Sequence, residues 1–262
     1  MAVLHASLDG RLVDPAAPLI ALDDDALLRG DGAFEVLRLY GGRPFALEDH
    51  LERLAATARG LRLPADLDAV RADIARLLQE TRPRDAGLRV VLTRGGRRIV
   101  TIEPLPDHPP SVTLATVEEV PSRLLSGLKS LSYAANMLAN RLADEQGADQ
   151  ALLVTPHGRL LEAPTSSFFC AFDEGPLVTP PLSEHLLNSI TRRRLLRLVA
   201  VEECPLTRAD LPLLREAFLA STTREVHPVA AIDGVALPEV PGQRTAAAAA
   251  AFRAHVEAEV GA

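Results

Sequence analysis

The chain has 262 residues, 47% of them hydrophobic and 24% charged, and a net charge of −7. That composition excludes a disordered or fibrous protein, and the length suits one large domain or two moderate ones whose cores need neither disulfide nor metal. The acidic balance argues against a nucleic-acid binder, which needs a basic face, and the short runs RGG at 94–96 and RRR at 192–194 read as solvated arginines.

The N-terminal MAVLHASLDGRLVDP lacks a basic stretch followed by an apolar one, so no secretory signal is expected. After short strand-like pieces, AFEVLRLY at 33–40 roughly alternates apolar and polar residues, and Gly41-Gly42 supplies a turn, predicting a hairpin over 33–45. Residues 47–61 carry Leu47, Leu51, Leu54, Ala55, Ala58 and Leu61 at helical spacing. A second helix is predicted over 67–80, with Leu67, Val70, Ile74, Leu77 and Leu78 on one side. Strands are predicted at 88–93, 99–103 and 112–117. Proline stops both helix and sheet ladder, so Val120-Pro121-Ser122 is taken as the boundary between domains 1–119 and 120–262.

The second half opens with a helix over 134–146 that Gly147 would stop. A hairpin is predicted from 151–155 and 159–162 across Pro156-His157-Gly158, then a phenylalanine-rich strand at 167–172. A helix opens at Ser189-Ile190-Thr191 and runs to about residue 200, and a short strand at 217–220 ends in Ser221-Thr222-Thr223. The apolar run 246–252 reads as helix capped by Thr245, and no apolar run reaches the roughly 18 residues that a membrane span needs. Strand and helix alternate without a regular βαβ rhythm, which points to a mixed α/β (α+β) fold in two domains. Cys170 and Cys204 form no CxxC and no disulfide framework, as expected of a cytoplasmic protein.

Several chemistries lack their signatures. There is no GxSxG, no GxxxxGK[ST], and no HxxxH or HExxH among seven scattered histidines, so no metal site is expected. GDGAFE at 30–35 lacks the last glycine of a dinucleotide fingerprint and leads into a strand. What stands out is that 27 of the 28 basic residues are arginine and Lys129 is the sole lysine. Arginine-rich codon usage would displace lysine wherever only charge matters. A position resists where an amine must lose its proton and attack a carbonyl, which arginine cannot do. Glu162, in LLEAPTSS, is the kind of carboxylate that keeps a pyridinium nitrogen protonated in pyridoxal phosphate. The helix opening at Ser189-Ile190-Thr191 offers N–H groups and a positive dipole end to a phosphate, and Ser221-Thr222-Thr223 adds donors. Arg53, on the first clear helix, is a countercharge. Singly these read as a helix cap, a strand end, a surface arginine and an exposed ion pair. Jointly they make an aldehyde anchor, a ring-nitrogen acid and a phosphate cup.

The order of these motifs resembles the class IV, or fold-type IV, pyridoxal-phosphate enzymes, which include D-amino-acid and branched-chain aminotransferases and 4-amino-4-deoxychorismate lyases. The matching stretches are RGDGAFEVLRLYGGRPFALEDHLERL (29–54), LKSLSYAANMLA (128–139), GADQALLVTPHGRLLEAPTSSFF (147–169), LVTPPLSEHLLNSITR (177–192) and FLASTTREVHPVAAIDG (218–234). The resemblance implies a homodimer of two-domain subunits with pyridoxal phosphate in the interdomain cleft. It implies that Lys129 forms the Schiff base and shuttles the proton, that Glu162 pairs with the pyridine nitrogen, and that Arg53, Ile190, Thr191 and Thr222 bind phosphate, with Ser189 and Ser221 beside them. Tyr133 falls near the cofactor's phenolic oxygen, one residue closer to the lysine than in the branched-chain enzymes. Phe34 and Arg38 lie on the pocket-lining strand; Arg94, with Arg97 or Arg98, is the candidate for the substrate carboxylate, and Thr223 for further substrate contact. Ala163, Ser167 and Ser189 stand where the family often has glycine, asparagine and glycine. The implied activity is amino-group transfer between a D- or branched-chain-type amino acid and a 2-oxo acid. The alternatives are a lyase releasing pyruvate and 4-aminobenzoate, and a non-catalytic binding member of the fold; neither nucleic acid nor membrane is an expected partner.

Overall fold

The leucine-bearing helices and alternating strands of the first hundred residues pack into one layered unit. The computed structural model describes residues 2–17 and 20–261. Strands β1 (His5–Leu8), β2 (Arg11–Val13), β3 (Gly32–Tyr40), β4 (Arg43–Pro44), β5 (Ala86–Thr93) and β6 (Arg98–Glu103) form an antiparallel sheet in the order β2-β1-β6-β5-β3-β4. Helix α1 (Asp25–Arg29) precedes β3, and α2 (Leu47–Leu61) and α3 (Leu67–Thr81) fall between β4 and β5. Both long helices end within a residue of their expected ends. The side chains that set their spacing, Leu51, Leu54 and Ala58 on α2 and Val70, Ile74 and Leu77 on α3, bury against Leu37, Leu39, Leu88, Val90, Val100 and Ile102 of the sheet.

The second unit holds a mixed eight-stranded sheet. Its strands are β7 (Val112–Glu118), β8 (Gln150–Val154), β9 (Ser167–Ala171), β10 (Leu177–Thr179), β11 (Val201–Glu203), β12 (Glu216–Ser221), β13 (Glu225–Ile232) and β14 (Val235–Ala236). The order is β11-β10-β9-β12-β13-β7-β8, with β14 on β13. Helices α4 (Ala134–Glu145), α5 (Ile190–Leu198) and α6 (Gln243–Val260) complete it. Phe168, Cys170, Leu219 and Val229 share one core with Leu206 and Leu214, while Ala139 and Ala143 of α4 pack on Ala115, Val117, Ala151 and Leu153. Among the described residues no helix is long and apolar enough to cross a membrane, and no cluster of ligating side chains could hold a metal ion.

The division between units differs from the one expected at Val120. The first unit is Met1–Pro106, Leu128–Tyr133 and Glu259–Ala262; the second is Asp107–Gly127 and Ala134–Ala258. Strand β7 belongs with the second because it lies between β13 and β8, parallel to both. The lysine segment belongs with the first. The hairpin arm expected at 159–162 does pair back on β8, with N–H groups of Thr155, Leu161 and Leu153 reaching the carbonyls of Arg159, Leu153 and Glu162, but it builds no regular strand, because the Leu160 N–H turns away to the Leu206 carbonyl.

The last helix also differs. Thr245 is not its cap but its third residue, buried, with its hydroxyl unbonded. The capping acceptor is Glu216, from β12, which takes the N–H groups of Arg244 (3.1 Å) and Thr245 (2.7 Å). A carboxylate at a helix N-terminus satisfies open donors and complements the dipole. Glu216 is buried, and a side chain at Gly242 would collide with it. Glu216→Ala is therefore expected to destabilise the protein by about 2 kcal/mol, read as a lower denaturation midpoint in urea, whereas Thr245→Val is expected to be neutral or mildly stabilising.

Candidate active site

Lys129 is positioned by backbone pairing, not by a helix or a regular strand. The Phe34 N–H donates to the Lys129 carbonyl (3.1 Å), the Leu131 N–H to the Gly32 carbonyl (2.9 Å), and Ala33 and Ser130 form an antiparallel bridge. From the other side the Lys129 N–H reaches the Thr57 hydroxyl of α2 at 3.2 Å. Two glycines make room. An added Cβ at Gly32 would lie 2.5 Å from Leu131 Cδ1 and 2.6 Å from the Leu92 carbonyl oxygen, and one at Gly60 would lie 2.7 Å from Leu128 Cδ2. So held, the amine sits 4.5 Å from the ring centroid of Phe34 and 3.5 Å from the Tyr133 hydroxyl. Tyr133 meets Phe34 edge-on at 5.1 Å. The phenol offers the amine a polar partner.

Arg53 is anchored from beneath. Its Nε and Nη2 grip Glu35 at 2.7 and 2.6 Å, and His50 Nδ1 lies 2.8 Å from the same carboxylate. Glu35 and His50 are each 1% exposed. Burial alone would raise the Glu35 pKa; the Arg53 fork and His50 outweigh it and hold it at about 2. Burial also pushes His50 down against the pull of Glu35, so its neutral ring donates Nδ1–H to the carboxylate. His50, Arg53, Thr57 and Gly60 recur at helical spacing, forming a second stripe on α2 beside the leucine one, with His50 and Thr57 buried and Arg53 and Gly60 partly so. Hydrophobic periodicity does not reveal it, and Glu35, His50 and Thr57, which hold the candidate residues Arg53 and Lys129, carry no signal in the sequence.

The second unit carries the other candidates. Glu162 accepts the Leu187 N–H at 3.0 Å and faces the Ser167 hydroxyl at 3.4 Å. Leu187 lies just before Ser189, the N-cap of α5, whose Oγ accepts the Arg192 N–H at 3.3 Å. The Arg193 N–H reaches the Ser189 carbonyl. The N–H groups of Ile190 and Thr191 stay outside the helix ladder and are the donors an anion needs. Both residues are 2% exposed. Ser167 pairs with Ala220 of β12, so Ser221, Thr222 and Thr223 leave the sheet at the end where Glu162 is tied down. Ser221 Oγ takes the Arg224 N–H at 3.3 Å.

The arginine candidates divide. Arg38 stacks over Tyr40 at 4.5 Å on the strand face it shares with Phe34. On that face Arg89, not singled out from sequence, approaches Phe34 at 5.6 Å while gripping Glu103 at 2.7 and 3.0 Å. Arg94 instead pairs with Asp31 at 2.8 and 2.9 Å and takes the carbonyls of Leu61 and Arg62, closing the C-terminal end of α2. Arg97 pairs with Asp9 and Arg98 with Asp73, each at 2.8 Å. The structure thus groups Lys129, Phe34, Tyr133 and Arg53 in the first unit, and Glu162, Ser189, Ile190, Thr191, Ser221, Thr222 and Thr223 in the second. This donor set fits pyridoxal phosphate: one amine for the aldehyde, one held carboxylate for the ring nitrogen, and a guanidinium and open N–H groups for the phosphate.

Comparison with known proteins agrees. The family model for amino-transferase class IV matches residues 32–232. A bifunctional aminodeoxychorismate lyase / D-amino acid transaminase of Mycobacterium tuberculosis is 32% identical over 270 residues, covering 90% of this chain and 93% of that protein. A hypothetical aminotransferase from M. tuberculosis in its PLP-bound form superposes with a TM-score of 0.87 at 28% identity, covering 97% of this chain and 99% of that one. The same description applies to a form with α-ketoglutarate and PMP, with a TM-score of 0.86 at 28% identity over 96% and 98% of the two chains. A branched-chain aminotransferase from Thermoproteus uzoniensis with norvaline gives 0.89 at 25% identity, over 99% and 96% of the two chains.

The depressed Glu35 pKa has a pH consequence. Since the folded value of about 2 lies below the ordinary 4.5, the ionised carboxylate stabilises the fold above about pH 4.5, and that contribution is lost as pH falls toward 2. The shift corresponds to something on the order of 3 kcal/mol. Glu35→Gln is expected to flatten this acid limb of the stability-versus-pH curve; an unchanged limb would assign the acid sensitivity to other carboxylates.

Proposed function

This chain belongs to the class IV aminotransferases, and from that premise we propose the part each site residue takes in amino-group transfer. The protein is a pyridoxal-phosphate-dependent enzyme; when bound, the cofactor supplies an electron sink that acidifies the substrate's Cα–H. Lys129 anchors the aldehyde and, once free, takes and returns a proton at Nζ. Phe34 and Tyr133 hold that amine in place. Glu162, oriented by Leu187 N–H and Ser167, keeps the ring nitrogen protonated. Arg53 and the N–H groups of Ile190 and Thr191 bind phosphate, with Ser189, Ser221 and Thr222 completing its donors. Phe34, Arg38 and Thr223 face the substrate. The observation that carries this reading is the fixed amine: the chain's one lysine, pinned by its own backbone, with its Nζ between a phenol and an aromatic face.

For substrates, the D-amino acid transaminase and branched-chain names of its relatives support a D- or branched-chain-type amino donor, and the α-ketoglutarate complex of a structural neighbour supports a 2-oxo acid acceptor. The lyase is the second reading, favoured by the bifunctional relative. We also read the enzyme as a homodimer, supported by the apolar Met137, Leu138 and Leu142 that α4 leaves exposed, and as cytoplasmic, supported by the free thiols Cys170 and Cys204.

A stopped half-reaction tests the activity. Holoenzyme is mixed with D- and L-amino acids and with aminodeoxychorismate while the cofactor spectrum is followed. Conversion of the cofactor to its amine form by a D- or branched-chain donor is expected, and Lys129→Arg should slow it by roughly 10²–10⁴-fold, the range for a lost general base. Formation of 4-aminobenzoate with no donor reacting would replace the aminotransferase by the lyase.

A further inference from the structure

A guanidinium keeps its proton, so an arginine withdrawn from water usually has an anion beside it. This chain follows that rule at Arg53 with Glu35, Arg89 with Glu103, Arg94 with Asp31, Arg98 with Asp73 and Arg192 with Glu203. Arg224 departs from it. It is partly buried in the turn between β12 and β13, and its guanidinium bonds through Nη1 to His227 Nδ1 at 2.9 Å, with no carboxylate at ion-pair distance among the described residues. His227 is buried, and its Nε2 lies 2.7 Å from the Pro109 carbonyl oxygen. A carbonyl only accepts, so Nε2 carries the proton and Nδ1 accepts from Arg224. The imidazole is therefore neutral: it aims the guanidinium without countering its charge. Asp149 is the acid whose field reaches Arg224, but its Oδ2 is occupied by the Thr113 N–H and hydroxyl at 2.7 and 2.8 Å. Burial lowers the pKa of Arg224 and of His227, as an uncompensated pair of this kind requires.

The place of this charge gives it a use. Arg224 directly follows Ser221, Thr222 and Thr223, and its N–H fixes the turn through Ser221 Oγ. That turn leaves the sheet beside Ser167 and Glu162. The substrates of an aminotransferase all carry a carboxylate, and the sequence candidates for it, Arg94 and Arg97, already hold Asp31 and Asp9. We propose that Arg224, aimed by His227, binds a carboxylate of the amino-acid or oxo-acid substrate. The proposal rests on the aminotransferase reading and adds the residue that recognises the anion.

The test is steady-state transamination by holoenzyme with two acceptors, pyruvate and 2-oxoglutarate, for the wild type, Arg224→Gln and Arg224→Lys. The glutamine variant keeps a donor toward His227 and removes the charge. Its KM is expected to rise about tenfold or more with kcat little changed, and the lysine variant to recover part of the loss. A rise for both acceptors assigns the carboxylate next to the oxo group; a rise for 2-oxoglutarate alone assigns the distal one. KM values within about twofold of wild type for both acceptors and both variants, or a fall in kcat with KM unmoved, would overturn the proposal. Failure of the aminotransferase reading is distinct, because it would show as no transfer by the wild type.

Discussion

The short antiparallel pairing between residues 128–133 and the start of β3 is the contact on which the site depends. It gives the lysine a backbone address: Phe34 N–H to Lys129, Leu131 N–H to Gly32, and Lys129 N–H to Thr57. A flexible four-carbon side chain is a poor reagent unless its root is fixed, because every free rotor multiplies the arrangements in which the amine is elsewhere. Fixing the root costs local space, which Gly32 and Gly60 provide by carrying no side chain toward Leu131 and Leu128. The same strand then presents Phe34 to the amine on one face and, on the other, Glu35 to Arg53.

Electrostatics follows from that geometry. The first unit buries Glu35 with a bidentate arginine and a neutral histidine, so a carboxylate almost without solvent contact remains charged. Arg53 is thereby orientated as much as it is neutralised, which would suit the phosphate contact proposed for it. The second unit uses backbone in place of side-chain charge: two N–H groups at the opening of α5, with Ser189 closing the third. Glu162 is tied to the loop entering that helix, so the candidate carboxylate and the open N–H groups of this unit share one support.

The fold was legible where packing sets the pattern. The leucine spacing of α2 and α3 and the hairpin of β3 and β4 emerge where periodicity put them. The sole lysine, Glu162 and the opening of α5 stand out in the sequence as candidates because the chemistry asked of them is restrictive: few residue types form a Schiff base, hold a pyridinium or leave open N–H groups. What stayed hidden was long-range. The grouping of 128–133 with the first unit depends on pairing across about a hundred residues, and β7 joins the second unit through strands that follow it in sequence. The cap of α6 comes from Glu216, on another strand, not from the adjacent Thr245. Arg94 and Arg97 could not be told from Arg224 by type; only their partners separate them.

All of this turns on one amine. Because Lys129 is the only lysine in the chain, chemical labelling of its side chain has no competing side-chain amine. Borohydride reduction of the holoenzyme, followed by peptide mass mapping, should place a single pyridoxyl group on Lys129 and none on Lys129→Arg. Reduction that leaves Lys129 unmodified, or that marks only the N-terminal amine, would contradict the account.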